Sequence, residues 1–79
     1  MKSPDEIKPA IINLYAEMGK DITELKYFSE KDMMYYVTRN DGARTSLLRK
    51  DIDDYVDSGD QSAKLNLMKA LSNFRHQND

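Results

Sequence analysis

The middle of the chain pairs runs of β-forming residues with a turn that fixes how they fold back. Residues 25–28 and 33–38 are rich in aromatic and apolar side chains that favour strands. Residues 29–32 form a polar connector of hairpin length between them. The sequence Asn40-Asp41-Gly42 predicts a three-residue hairpin loop, with the glycine at the position of positive φ. Since residues 43–48 then return as a third strand, we predict a three-stranded antiparallel meander.

The chain before this meander predicts one amphipathic helix. Its apolar residues recur at helical spacing, at Ile7, Ala10, Ile11, Leu14, Tyr15 and Met18. Ser3, Pro4 and Glu6 fit a capping box, and Gly19 is placed to end the helix. Pro9 conflicts with this pattern, because proline inside a helix removes one backbone hydrogen bond. The helix therefore begins either at Pro4, with a kink, or at Pro9.

The chain after the meander predicts two helices. Asp51 is placed to cap a short helix that carries Ile52, Tyr55 and Val56, and Gly59 is placed to end it. Asp60 is placed to cap the last helix. The apolar residues of that helix are Leu65, Leu67, Met68, Leu71 and Phe74.

The order of elements is helix, three strands, short helix, helix, which defines an α+β fold (α-β-β-β-α-α). A small sheet is stable only when one face is covered, so we expect the helices to pack on one sheet face. The length predicts one domain over residues 1–79, with residues 75–79 as a frayed tail.

The residue types that are missing argue against catalytic and metal sites. There is no cysteine, and the one histidine, His76, lies in a polar tail where no second group would orient it. The three glycines are too far apart to form a phosphate loop. We therefore predict a protein that is not an enzyme, with no cofactor and no metal. No apolar run is long enough for a membrane span and residues 1–6 do not resemble a secretion signal, so we expect a cytoplasmic protein.

An acidic run holds five of the fourteen acidic residues within residues 51–60. The run lacks the central glycine and the distal glutamate of a calcium loop. Two interpretations remain. The acids either cap and solvate two helices, or they form an acidic face that attracts a basic partner.

The alternation of side chains along the central strand divides it into two faces. Met33, Tyr35 and Val37 point to one side, whereas Met34, Tyr36 and Thr38 point to the other. If the first set lies in the core, the second places a methionine and a tyrosine on the other face. Those residue types are enriched at protein interfaces. A helix or a homodimer partner would be the alternative cover for that face.

Our first functional hypothesis is a small non-catalytic regulator or inhibitor, of the type found in phages and mobile elements, that docks on a larger protein with a basic surface. The residues predicted to bind the partner are Met34, Tyr36, Asp53, Asp54 and Asp57. The alternative is a nucleic-acid-binding domain that uses the sheet, because residues 20–50 carry seven cations against five acids, with aromatic residues between them. In that case the expected cationic contacts are Arg39, Arg44 and Arg49.

Overall fold

The computed structural model describes residues 4–76 and has the predicted order of elements. The helices and strands are α1 (Pro4–Glu17), β1 (Leu25–Lys31), β2 (Met34–Arg39), β3 (Arg44–Leu48), α2 (Arg49–Ser58) and α3 (Gln61–Leu71). The three strands form one antiparallel sheet in the order β1-β2-β3. The predicted α+β class, with helices packed against a three-stranded meander, is therefore confirmed.

The β1–β2 hairpin is tighter than predicted. Residues 29–31 belong to β1, and the connection consists only of Asp32 and Met33, with φ values of 53° and 65°. Two consecutive residues of positive φ suit a two-residue hairpin because their twist matches that of the strands. The predicted connector over residues 29–32 was wrong because strand pairing continues to the Lys31–Met34 pair. At the second hairpin Gly42 has the predicted positive φ, at 90°.

Helix α1 begins at Pro4 and contains Pro9, which decides between the two predicted starts. The hydrogen bond lost at Pro9 is the one that would reach the carbonyl of Asp5, one turn earlier. Both residues are exposed, so water can satisfy that carbonyl. Ser3, the predicted cap, and residues 77–79 of the predicted tail lie outside the described residues.

The core lies between the three helices and one face of the sheet. Its fully buried members are Ile7, Ile11, Leu14 and Tyr15 of α1, Tyr35 and Val37 of β2, Leu47 of β3, Ile52 of α2, and Leu67 and Leu71 of α3. All three helices therefore cover the sheet face that carries Tyr35 and Val37. Within residues 4–76, no helix is both long and apolar enough to cross a membrane.

The two C-terminal helices differ in how they begin. Strand β3 leads directly into α2, so Leu48 is the N-cap, without a side-chain hydrogen bond, and Asp51 already lies in the first turn. The prediction that Asp51 caps this helix was therefore wrong. Asp60 caps α3 as predicted, since its carboxylate accepts hydrogen bonds from the N–H groups of Ser62 and Ala63. Gly59 ends α2 in the left-handed conformation, with φ of 64°.

Candidate binding surface on the open face of the sheet

The sheet face opposite the helices presents nine side chains, which we call the open face. The strand register arranges them in three cross-strand rows, Tyr27–Thr38–Arg44, Ser29–Tyr36–Ser46 and Lys31–Met34–Leu48. Paired residues share a face, and their neighbours Tyr35, Val37 and Leu47 point into the core. Tyr27 is 62% exposed and Leu48 is 53% exposed, so solvent reaches this face at two opposite corners.

The aromatic rings of the open face lie beside cations. The guanidinium of Arg44 is 5.1 Å from the centroid of the Tyr36 ring, and the Lys26 ammonium is 5.3 Å from that of Tyr27. A cation over an aromatic face is attracted by the ring quadrupole, typically by about 0.5–1 kcal/mol at exposed sites. The side chains of Tyr36 and Arg44 therefore hold each other in place across β2 and β3.

Charge is distributed unevenly between this face and the rest of the chain. The nine positions include Lys31 and Arg44 and contain no aspartate or glutamate. The whole chain nevertheless has a formal net charge of −2. The nine positions of the open face therefore carry two formal positive charges in a chain whose net charge is negative.

A cavity lies at the edge of the open face, where the chain after α3 meets β3. The backbones of Arg44 and Arg75 exchange two hydrogen bonds, of 2.8 and 3.0 Å, and form an isolated antiparallel bridge. The sequence predicted the frayed tail to begin at Arg75, but its backbone is paired at this point. The cavity has a volume of about 390 Å³ and is lined by Tyr36, Arg44, Thr45, Ser46, Ala70, Asn73 and Arg75. We call it the edge cavity.

The predicted partner-binding residues lie on two different parts of the molecule. Met34 and Tyr36 are half-buried on the open face, as the alternation along the strand predicted. Asp53, Asp54 and Asp57 belong to α2, in the helix layer behind the sheet. The structure therefore does not combine the aromatic anchors and the acidic residues in one continuous surface.

Asp53 and Asp54 lie beside cations of the same helix. Asp53 accepts a hydrogen bond of 3.2 Å from Nε of the fully buried Arg49, which also donates to Glu30 on β1. Asp54 lies 3.5 Å from the ammonium of Lys50. Burial by itself lowers the pKa of Arg49, but the hydrogen bonds and charges of Asp53 and Glu30 outweigh it, so the pKa is raised. Asp53 is thus a counterion of a buried cation.

Of the three arginines expected to contact nucleic acid, the open face contains one, Arg44. Arg49 is buried, and Arg39 forms two hydrogen bonds with the carboxylate of Asp41, of 3.1 and 2.7 Å. Sequence reasoning missed Arg75 and did not place Tyr27 on this face. The sequence of β1 alone does not decide which of the two neighbouring aromatic residues, Tyr27 or Phe28, faces the core.

Within residues 4–76, no group of three or more histidine, cysteine or acidic side chains is arranged to hold a metal ion. His76 is exposed at the end of the described chain. No protein-family model, no curated protein and no solved structure matches this chain.

Proposed function

We propose that this protein is a non-catalytic binding module that holds nucleic acid on the open face of its sheet. The observation that carries the proposal is that the nine positions of this face include the exposed Tyr27, the half-buried Tyr36 and two cations but no aspartate or glutamate, in a chain of net charge −2. Cations neutralise backbone phosphates, and aromatic rings on a sheet stack with bases. Ser29, Thr38 and Ser46 add hydroxyl groups that donate to and accept from bases, sugars and phosphates.

The uneven distribution of charge favours nucleic acid over the acidic docking surface that the sequence suggested first. An acidic face of Asp53, Asp54 and Asp57 would need carboxylates available to a basic partner. Asp53 already pairs with Arg49, and Asp54 lies near Lys50. The carboxylates of Asp53 and Asp54 thus have partners inside the fold, and the two cations of the open face would attract an anionic ligand.

Titration of labelled oligonucleotides by fluorescence anisotropy, at about 50 and 200 mM salt, tests this proposal. We expect measurable binding that weakens as salt rises, and a salt slope that falls by about 1 when one phosphate contact is removed in Arg44→Gln. Lys20→Gln removes the same charge from an exposed position outside the open face and should leave the slope unchanged. The absence of binding to DNA and RNA at low salt would overturn the proposal.

Docking on a larger protein, as a regulator or inhibitor, is a second candidate that one observation favours. Met34 and Leu48, which pair across β2 and β3, form an apolar end of the open face beside Lys31, and Met33 in the adjoining turn is 59% exposed. Contiguous exposed apolar side chains mark protein interaction sites. Leu48→Lys should abolish such docking. If a purified partner protein bound this variant with unchanged affinity, the result would contradict docking at this end of the open face.

A further inference from the structure

The edge cavity gives the proposed nucleic-acid interaction a more specific form. We propose that the ligand is single-stranded, and that one of its backbone phosphates is held in the edge cavity by the guanidinium groups of Arg44 and Arg75. This inference rests on the proposed function, because it names the form of nucleic acid and the place where the strand is held.

Arg44 and Arg75 are paired in the backbone bridge at the edge of the sheet. Residues directly opposite each other in an antiparallel pair have their side chains on the same face, about 4.5–5.5 Å apart at Cβ. The Arg44–Arg75 bridge therefore places two guanidinium-bearing side chains side by side at the edge of the open face. A phosphate bound between them would accept hydrogen bonds from both guanidinium groups.

The edge cavity is lined mainly by polar and cationic side chains. Both arginines line it, together with the polar side chains of Ser46 and Asn73. The hydroxyl of Thr45 is used inside the fold, where it donates a hydrogen bond of 2.7 Å to the carbonyl of Ala70. Guanidinium groups present planar sets of N–H donors that match phosphate oxygens, often in pairs. The lining thus suits a phosphate better than an apolar ligand or a cation.

The edge cavity adjoins the tyrosine rings of the open face. Tyr36 lines the cavity and also lies on the open face, under the Arg44 guanidinium. Tyr27 is opposite Thr38, so Tyr27 and Tyr36 are diagonal neighbours across β1 and β2, about 7–8 Å apart. Bases stack on aromatic rings and on guanidinium planes alike. Tyr27 and the Tyr36–Arg44 pair are therefore two separate stacking positions beside the phosphate position.

Tyrosine rings on the sheet favour a single strand over a duplex. In a duplex each base is already stacked between its neighbours, so its faces cannot reach a protein ring. Unpaired bases can be splayed out and stacked on side chains. Stacking of this kind is worth about 1–3 kcal/mol per base and tolerates many sequences. A surface that exposes tyrosine rings on a sheet is suited to unpaired bases.

The experiment compares one fluorescent oligonucleotide, as a single strand and as a duplex, against the full chain and its variants at about 50 mM salt. DNA and RNA strands of one sequence are both used. We expect single strands to bind at least about tenfold more tightly than the duplex, from the stacking of one base or more. We expect Arg75→Gln to lose about tenfold in affinity and to lower the salt slope by about 1.

The control variants separate charge from position. Arg75→Lys keeps the charge and should retain the salt slope, whereas Lys20→Gln removes an exposed charge elsewhere and should bind as the natural sequence does. Equal binding of single strand and duplex, or equal behaviour of Arg75→Gln and Lys20→Gln, would overturn this inference and leave the proposed function standing. Failure of every oligonucleotide to bind would overturn the proposed function and this inference with it.

Discussion

The guanidinium of Arg49 joins the first turn of α2 to the carboxylate of Glu30 on β1, and its side chain has no solvent exposure. Asp53, one helical turn further along α2, accepts a second hydrogen bond from the same group. A helix and the far strand of the sheet are thus connected through one buried cation. The two carboxylates remain partly exposed, which lowers the cost of bringing their charges together.

Replacement of Arg49 should destabilise the fold far more than replacement of its neighbour. Removal of a buried partner leaves the opposite charges uncompensated, so we expect Arg49→Ala to lower the free energy of unfolding by about 3 kcal/mol. Lys50 is the matched control, because its side chain is 84% exposed, and Lys50→Ala should change stability by less than about 0.5 kcal/mol. Urea denaturation measures both, and similar losses would contradict a structural role for the buried cation.

The hydroxyl of Tyr35 is a buried polar group without a hydrogen-bond partner among the described residues. Such a group loses its bonds to water without replacement, at a cost of about 1–3 kcal/mol. We expect Tyr35→Phe to raise the free energy of unfolding by about 1 kcal/mol. Destabilisation by this variant in thermal unfolding would show that the hydroxyl has a partner in solution.

The same tyrosine predicts a loss of stability at alkaline pH. Burial, with a smaller effect of the nearby charges of Glu30 and Asp5, raises the pKa of Tyr35 to about 12, although the charge of Arg49 acts in the opposite direction. The unfolded chain, with a tyrosine pKa near 10, therefore ionises first. The contribution of Tyr35 to the free energy of unfolding is therefore fully present below about pH 10 and is lost as pH rises toward 12. Tyr35→Phe should show a smaller decline over that interval.

The two C-terminal helices should respond differently to loss of their predicted caps. Asp60 bonds two N–H groups at the start of α3, so Asp60→Ala should cost about 1 kcal/mol. Asp51 lies inside the first turn of α2 and serves only through its charge near the helix N-terminus. Asp51→Ala should therefore cost only about 0.3 kcal/mol. Equal effects in urea denaturation would indicate that α2 begins later in solution.

The β2–β3 turn should weaken in acid. The hydrogen bond from the Arg39 guanidinium, followed by that from the N–H of Ala43, lowers the pKa of Asp41 to about 2. A lowered pKa stabilises the folded state above the unfolded value, near 4, and this contribution disappears as pH falls to about 2. The difference in Tm between the natural sequence and Asp41→Asn should therefore narrow between pH 5 and pH 2. A difference in Tm that stays constant over this pH range would contradict the lowered pKa of Asp41.

The features that the sequence predicted correctly depend on neighbouring residues. Alternation along β2 was enough to place Tyr35 and Val37 inside and Tyr36 on the other face, but it was wrong for Met33, which precedes β2 in the turn and is 59% exposed. Asp60, Gly42 and Gly59 are local signals of caps and turns, and each lies where it was expected.

The features that the sequence did not predict depend on distant residues. The bridge between Arg44 and Arg75 joins two chain segments that have no local pattern in common. Arg49 is a charged residue that becomes buried only because Glu30 and Asp53 meet it there. The open face could therefore be predicted from β2 alone, whereas the edge cavity required the packed structure.

Met33 has an unfavourable backbone conformation in the β1–β2 hairpin. It has a φ of 65° and is 59% exposed, although residues with a Cβ are disfavoured in this conformation by roughly 1–2 kcal/mol. Glycine adopts it readily but gives the unfolded chain more freedom, so we expect Met33→Gly to raise the free energy of unfolding by about 0.5–1 kcal/mol. Met34→Gly, at the first position of β2, should lower the free energy of unfolding, because glycine loses more conformational freedom in a strand and has no side chain to pair with Leu48. Destabilisation by Met33→Gly in urea denaturation would mean that the Met33 side chain contributes to packing. A stabilised Met33→Gly that binds a purified protein partner more weakly would instead show that the strained methionine serves the apolar end of the open face.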